Sequence, residues 1–160
     1  MVLSEGVLFR NNENAYVQTK RKLLNECNLF CIISLPPKVF LNAGAASKTN
    51  LLFFVKGNPT KEIWYYDLSD INITKKDLMT TQQFDDFFKL YNPKTLKLSK
   101  SERAWSVSID EIKKKNYDIK AVNPNRKIVE DTRTPKELIS IIENEQAKIA
   151  SILKELKGNL

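Results

Sequence analysis

Apolar and polar positions alternate along this chain in short blocks before settling into one long stripe at the end. Val2–Phe9 reads as a buried strand interrupted by a turn at Ser4–Gly6. Residues 14–26 place Ala15, Val17, Leu23 and Leu24 among polar neighbours, the pattern of a short amphipathic helix. Leu29–Leu35 is an apolar run of strand length, closed by Pro36–Pro37, which cannot continue a central ladder. After a loop of small and polar residues, Asn50–Lys56 and Glu62–Asp67 are two further strands around the turn Gly57–Asn58–Pro59. Two strands so close in sequence predict a β-hairpin. The order is that of an α/β sheet with an edge to which further units would add.

From Thr80 to Tyr91 the period becomes helical, with Phe84, Phe87, Phe88 and Tyr91 on one stripe and Thr80 or Thr81 as cap. That stripe reads as core. Asn92–Lys100 is a basic loop, Trp105–Ile109 a short strand, Asp110–Asn116 a turn of helix, and Ala121–Arg133 irregular. At Thr134-Pro135-Lys136-Glu137 a capping box with proline at the first helical position opens the clearest element. Leu138, Ile142, Ile149, Ile152 and Leu156 then recur at steps of three, four and seven, with Glu145 breaking the seam. Leu153 and Leu160 widen the stripe, and Gly158 is a natural stop. Such a helix is about 36 Å long, more stripe than one sheet edge usually covers; it predicts docking on a partner helix, the alternative being packing on its own domain. The chain thus divides into 1–91 (sheet and flanking helices), 92–133 (basic, irregular) and 134–160 (terminal helix).

Charge changes this picture. The net charge is +7, and residues 92–127 hold ten Lys/Arg against four Asp/Glu, while residues 1–60 hold seven against three. Clustered positive charge points to a polyanionic partner such as DNA, bound through counterion release. No apolar run approaches the roughly 18 residues that span a bilayer, so no membrane is expected. Nothing at Met1–Phe9 has the form of a secretion leader, and Cys27 and Cys31 read as small apolar residues of a reducing, cytoplasmic setting.

The chemistry-bearing residues are sparse. With no histidine and two cysteines, a zinc site and histidine-based triads are excluded. Four glycines form neither a P-loop nor a dinucleotide fingerprint. Asp85–Asp86 and Glu130–Asp131 are adjacent and diverge, so neither is an acid/base pair. Asn123-Pro124-Asn125-Arg126 starts like the Asn-Pro-Pro-Tyr/Phe signature of amino-methyltransferases, but lacks the second proline and the aromatic ring that stacks on a flipped base. It is not read as catalytic.

An ordered set of stretches carries a resemblance. Glu5-Gly6-Val7-Leu8-Phe9 comes first, then Arg21-Lys22-Leu23-Leu24 with Glu26-Cys27-Asn28-Leu29, then Ser34-Leu35-Pro36-Pro37 with Val39-Phe40. Lys48-Thr49-Asn50-Leu51-Leu52-Phe53-Phe54 and Ile63-Trp64-Tyr65-Tyr66-Asp67 follow, and then Ser101-Glu102-Arg103 with Trp105, Asn116-Tyr117-Asp118 and Asn123-Pro124-Asn125. Together they resemble the C-terminal third of modification subunits of type I restriction–modification systems, the N6-adenine DNA methylase family; Ser4 departs from the family's usual proline. The resemblance implies an α/β fold: the last strands of a class I S-adenosylmethionine-dependent methyltransferase sheet, with the β-hairpin, plus a long C-terminal helix. It places the loop from Phe40 to Asn50 near the pocket for a flipped adenine, with Phe40, Lys48, Thr49 and Asn50 as the DNA and target-base candidates. It implies that Leu138, Ile142, Ile149, Ile152 and Leu156 dock on a specificity subunit, with a restriction subunit and the N-terminal part of the methyltransferase as further partners. S-adenosylmethionine belongs to the complete enzyme. The cofactor and Asn-Pro-Pro-Tyr/Phe motifs are absent here, so this chain alone is expected neither to bind the cofactor nor to methylate DNA. The alternative is a catalytically silent basic module for DNA binding or assembly.

Overall fold

The computed structural model describes residues 1–45, 47–74, 76–120, 122–126 and 133–158. Parts of the irregular segment expected at Ala121–Arg133, and Leu160 of the terminal stripe, lie outside the described residues. The chain forms two compact units, Met1–Arg126 and Lys127–Leu160.

The first unit is built on a five-stranded mixed sheet. Its strands are β1 (Val2–Ser4), β2 (Cys27–Ser34), β3 (Thr49–Lys56), β4 (Glu62–Asp67) and β7 (Ala104–Ser108), in the order β1-β3-β2-β4-β7. A two-stranded ribbon, β5 (Tyr91–Asn92) with β6 (Lys97–Leu98), lies within the basic stretch. Helices α1 (Glu5–Phe9), α2 (Asn14–Glu26), α3 (Asp85–Leu90) and α4 (Ile109–Lys114) complete the unit. β2 and β4 are parallel, while β3 runs antiparallel to both β1 and β2, and β7 antiparallel to β4. The C-terminal ends of β1, β2 and β4 therefore share one rim of the sheet.

Two sequence expectations are corrected. The chain after Ser4 does not continue as a strand but turns into α1, whose last carbonyls are capped from a distance. The Lys20 ammonium donates to the Leu8 carbonyl at 2.9 Å and the Arg10 carbonyl at 2.8 Å, supplying donors that a five-residue helix cannot find within itself. Burial pushes the Lys20 pKa down, and the Asp118 charge partly opposes it.

The second correction concerns the hairpin. β3 and β4 do not pair; they flank β2 on opposite sides. The turn between them crosses the start of β2 instead. Gly57 adopts φ 111°, its N–H donates to the Glu26 carbonyl at 3.0 Å, and the Thr60 N–H donates to the Leu24 carbonyl at 2.8 Å. The buried Thr60 hydroxyl accepts from the Leu29 N–H at 2.8 Å and donates to the Cys27 carbonyl at 2.7 Å. This satisfies backbone groups where the β2–β3 register shifts between Leu29 and Cys31. The sequence of β4 is apolar on both faces, as an interior strand requires. Beside β2, five of its six residues are buried.

The two faces of the sheet make two cores. One gathers Leu8, Leu24, Leu29, Ile32, Leu52, Ile63, Tyr65, Trp105, Ile112 and Ile119, bringing in α1, α2 and α4. The other gathers Cys31, Ile33, Leu35, Trp64, Tyr66, Leu68, Phe87, Leu98 and Ala104, covered by α3 and β6. Alternation along β4 sends Ile63 and Tyr65 to the first and Trp64 and Tyr66 to the second. Leu29 and Ile32 share a face only because the bulge shifts the phase of β2. The aromatic stripe behaves as core at Phe87, which meets Tyr66 edge-on at 5.3 Å and stacks on Tyr91 at 5.6 Å, whereas Phe88 is exposed. Its first turn is a 3-10 helix, Thr81–Phe84, opened by a capping box of Thr80 and Gln83. Both cysteines are free, and burial pushes the Cys31 thiol up to about 12, which leaves it an inert apolar group at neutral pH.

The second unit contains α5 (Pro135–Gly158), a helix of 24 residues. Its predicted start is realised: the Glu137 carboxylate accepts from the Thr134 N–H at 2.6 Å and from the Thr134 hydroxyl at 2.9 Å, and the Glu137 N–H donates back at 3.3 Å. None of its residues is buried. No helix among the described residues is long and apolar enough to cross a membrane.

Candidate nucleic-acid interface

At the rim where β1, β2 and β4 end, four separate segments meet. Open sheets carry ligands at this end of their parallel strands, where loops rather than ladders occupy the backbone. β2 leaves the sheet at Ser34, and Leu35 and Pro36 are still buried. The loop then turns through Lys38, which has φ 69°, into a 3-10 turn at Leu41–Ala43 that Gly44 closes with φ 79°. Phe40 opens that turn; its carbonyl accepts from the N–H groups of Ala43 and Ala45 at 3.0 and 3.1 Å. Its ring is half-buried against the second core.

Lys48 brings the loop back to the sheet. Its carbonyl accepts from the Glu5 N–H at 2.9 Å, and its ammonium lies 2.9 Å from a Glu5 carboxylate oxygen. One residue on, the Thr49 carbonyl accepts from the Leu35 N–H at 3.0 Å. Thr49 pairs with Ser4, and Asn50 lies between Leu3 of β1 and Ser34 of β2. Both side chains are buried, and neither Thr49 Oγ1 nor Asn50 Nδ2 meets a hydrogen-bond partner among the described residues. Of the four loop candidates, Lys48 contacts Glu5, and Thr49 and Asn50 follow it into β3 with buried side chains. Phe40 shares the loop but packs into the core beside it.

Sequence reading missed two residues of this junction, Glu5 and Lys120. The second Glu5 oxygen lies 3.5 Å from the Lys120 ammonium, which also sits 5.5 Å from the centre of the Phe9 ring. No local pattern announces them, because the three partners come from α1, the loop before β3 and the segment after α4. Farther along the rim, Arg103 holds Asp70 with two bonds of 2.6 and 2.8 Å and donates to the Asp67 carbonyl at 3.0 Å. Burial tends to raise the Asp70 pKa, but the Arg103 hydrogen bonds and charge outweigh it and hold the carboxyl below its ordinary value. The Asn123-Pro124-Asn125 stretch serves as a clasp: Asn123 donates to the Glu102 carbonyl at 2.8 Å and Asn125 to that of Ser101 at 3.0 Å.

The glycines form no cradle for S-adenosylmethionine among the described residues. Gly44 and Gly57 serve single turns, and Gly6 and Gly158 lie within helices. No glycine-rich strand-to-helix turn occurs among the described residues to let backbone close on the cofactor. No group of three or more potential metal ligands occurs among the described residues.

A profile of the N-6 DNA methylase family matches residues 1–133. The methylase subunit of the type I restriction enzyme EcoEI from Escherichia coli is 33% identical over 169 aligned positions, covering 100% of this chain and 33% of that protein. A chain solved in work on complex assembly and conformational transition of the type I R-M system superposes with a TM-score of 0.70 at 35% identity, over 98% of this chain and 34% of that one. A modification subunit assigned to a type I restriction enzyme of Vibrio vulnificus YJ016 gives a TM-score of 0.64 at 29% identity, over 78% of this chain and 27% of that one. The chain spans about a third of the length of the EcoEI relative. The ordered motifs, the mixed sheet and this breadth of similarity lead to one conclusion: the chain belongs to the N-6 DNA methylase family, in the region it shares with type I methylase subunits.

Proposed function

We propose that this chain works as the C-terminal part of a site-specific adenine-N6 DNA methyltransferase, the modification subunit of a type I restriction–modification system. The observation that carries this reading is the similarity to the EcoEI methylase subunit over the whole chain. In this reading the rim at Phe40–Asn50 faces DNA and the target base, and a separate N-terminal part of the methyltransferase supplies S-adenosylmethionine and the catalytic motif. β1 pairs with β3 alone among the described strands, and with Met1 it covers Thr49 to Leu52 of that strand, so the outer edge is open to a further strand. Exposed Phe53, Phe54 and Val55 continue the same strand past the end of β1. The exposed stripe of Leu138, Ile142, Ile149, Ile152 and Leu156 on α5 fits docking on a helix of the specificity subunit. The restriction subunit would join the same complex, in the cytoplasm.

Reconstitution tests this reading. This chain, a separately expressed N-terminal methyltransferase part and the specificity subunit are combined with labelled S-adenosylmethionine and duplex DNA carrying that subunit's target. The expected result is labelled DNA only when all three proteins are present. Folded, associated components that transfer no label overturn the methyltransferase role, and DNA binding without transfer marks a silent assembly module instead. Deleting residues 138–160 is expected to abolish specificity-subunit binding while the sheet unit stays folded. Full-affinity binding by the truncated chain removes the docking role of α5.

A further inference from the structure

Glu5 forms an ion pair on each carboxylate oxygen with a lysine from elsewhere in the chain: Lys48 at 2.9 Å and Lys120 at 3.5 Å. The three side chains are 18%, 31% and 35% exposed, so the group is partly shielded yet open to solvent on one side. Its backbone is fixed as well. The Glu5 N–H donates to the Lys48 carbonyl, and the Lys120 N–H donates to the Asp118 carboxylate at 2.8 Å. A lone surface lysine samples many rotamers and recognises phosphate as a mobile point charge. Here one carboxylate is shared between two ammonium groups, so a single negative charge faces two positive ones. Each ammonium has three donors, more than one carboxylate oxygen can occupy. The group carries one net positive charge, at the rim where the loop of Phe40–Asn50 returns to the sheet.

We propose that Glu5, Lys48 and Lys120 form a phosphodiester clamp: the two lysines bind a DNA backbone phosphate, and Glu5 positions them. The clamp rests on the DNA-methyltransferase reading above and adds to it a defined contact and a residue, Lys120, outside the expected loop. Its chemistry selects backbone rather than bases, so it sets the register of the duplex at the rim without reading sequence.

The 160-residue chain is titrated into a short fluorescent duplex over a series of KCl concentrations, and anisotropy is followed. Lys48→Gln and Lys120→Gln are each expected to weaken binding several-fold and to lower the salt slope by about one. Lys113→Gln, an exposed lysine of α4, is expected to change binding much less. Glu5→Gln separates the clamp from simple charge. It raises the net charge, so charge alone predicts tighter binding, whereas the clamp predicts weaker binding because the two ammonium groups lose their anchor. Circular dichroism and urea midpoints establish that each variant is folded, and the two lysine variants carry the test if Glu5→Gln is not. Tighter binding by folded Glu5→Gln, or losses at Lys48 and Lys120 no larger than at Lys113, overturns the clamp and leaves the DNA reading standing. A wild-type chain with no salt-dependent binding overturns both.

Discussion

β4 and α5 draw on similar residues to opposite ends. β4 is six residues long and buries five of them, with Ile63 wholly inaccessible and Tyr65 and Tyr66 nearly so. α5 is four times longer, carries isoleucines and leucines at regular spacing, and buries none. In β4 the apolar side chains are distributed to both faces of a sheet and meet two cores. In α5 they line one stripe, and its local order comes from the capping box at Thr134 and from the helix backbone itself. Apolar content therefore says how much surface a segment has to hide, and only its neighbours say whether it is hidden.

The sharpest way to break this comparison is to truncate one isoleucine in each element. Ile63→Ala is expected to lose about 2–5 kcal/mol, the range for emptying a packed site, whereas Ile149→Ala in the free chain is expected to stay within about 0.5 kcal/mol. Urea denaturation of both variants checks this. Equal losses would mean that α5 draws as much stability from its stripe as β4 does from its core. Once the specificity subunit is added, Ile149→Ala is expected to weaken association, read as a raised Kd.

A second test concerns why β4 sits beside β2. Thr60→Val keeps the shape of the side chain but removes both hydrogen bonds at the start of β2. Leaving a buried N–H and a carbonyl without their partner is expected to cost about 1–3 kcal/mol. Hydrogen exchange would locate the effect: faster exchange at Leu29 is the expected sign, and unchanged protection there would detach Thr60 from the crossing.

The smallest effect is electrostatic and lies at the rim. The Asp70 carboxyl is held below its ordinary pKa by Arg103 despite burial acting the other way. A depressed folded pKa means that the pair stabilises the fold above the unfolded carboxyl pKa, and that this contribution fades as pH falls through the folded value. Because the two side chains are 39% and 45% exposed, solvent screening limits the effect to under about 1 kcal/mol. Arg103→Gln is expected to flatten the stability–pH curve in that acidic window and to leave it parallel to wild type above neutrality. A curve of unchanged shape would remove the pair from the balance.

Local signals were read well where a single segment suffices. The helix at residues 14–26 and the strand at Glu62–Asp67 appear with the expected bounds, and the capping box at Thr134 has its expected geometry. Each depends on periodicity or on bonds spanning three or four residues. The two corrected elements involve distant partners. Glu5–Phe9 has the apolar content of a strand, and its helix is secured by Lys20 of α2. The hairpin was inferred from a short turn, while the actual pairing depends on what β2 offers at both its edges. The candidate loop was legible in Lys48-Thr49-Asn50, but Glu5 and Lys120 were not, since an ion pair between remote segments leaves no spacing to read.

By itself, then, the sequence determined most of the elements, the start of the long helix, the basic balance and the family, because these are set by neighbouring residues or by an ordered series of motifs. The tertiary structure decided which strands are neighbours, which apolar residues are buried, and which charges meet at the rim. Those outcomes depend on burial and electrostatics between segments far apart along the chain, where the energy lies in the distance between groups and not in their order.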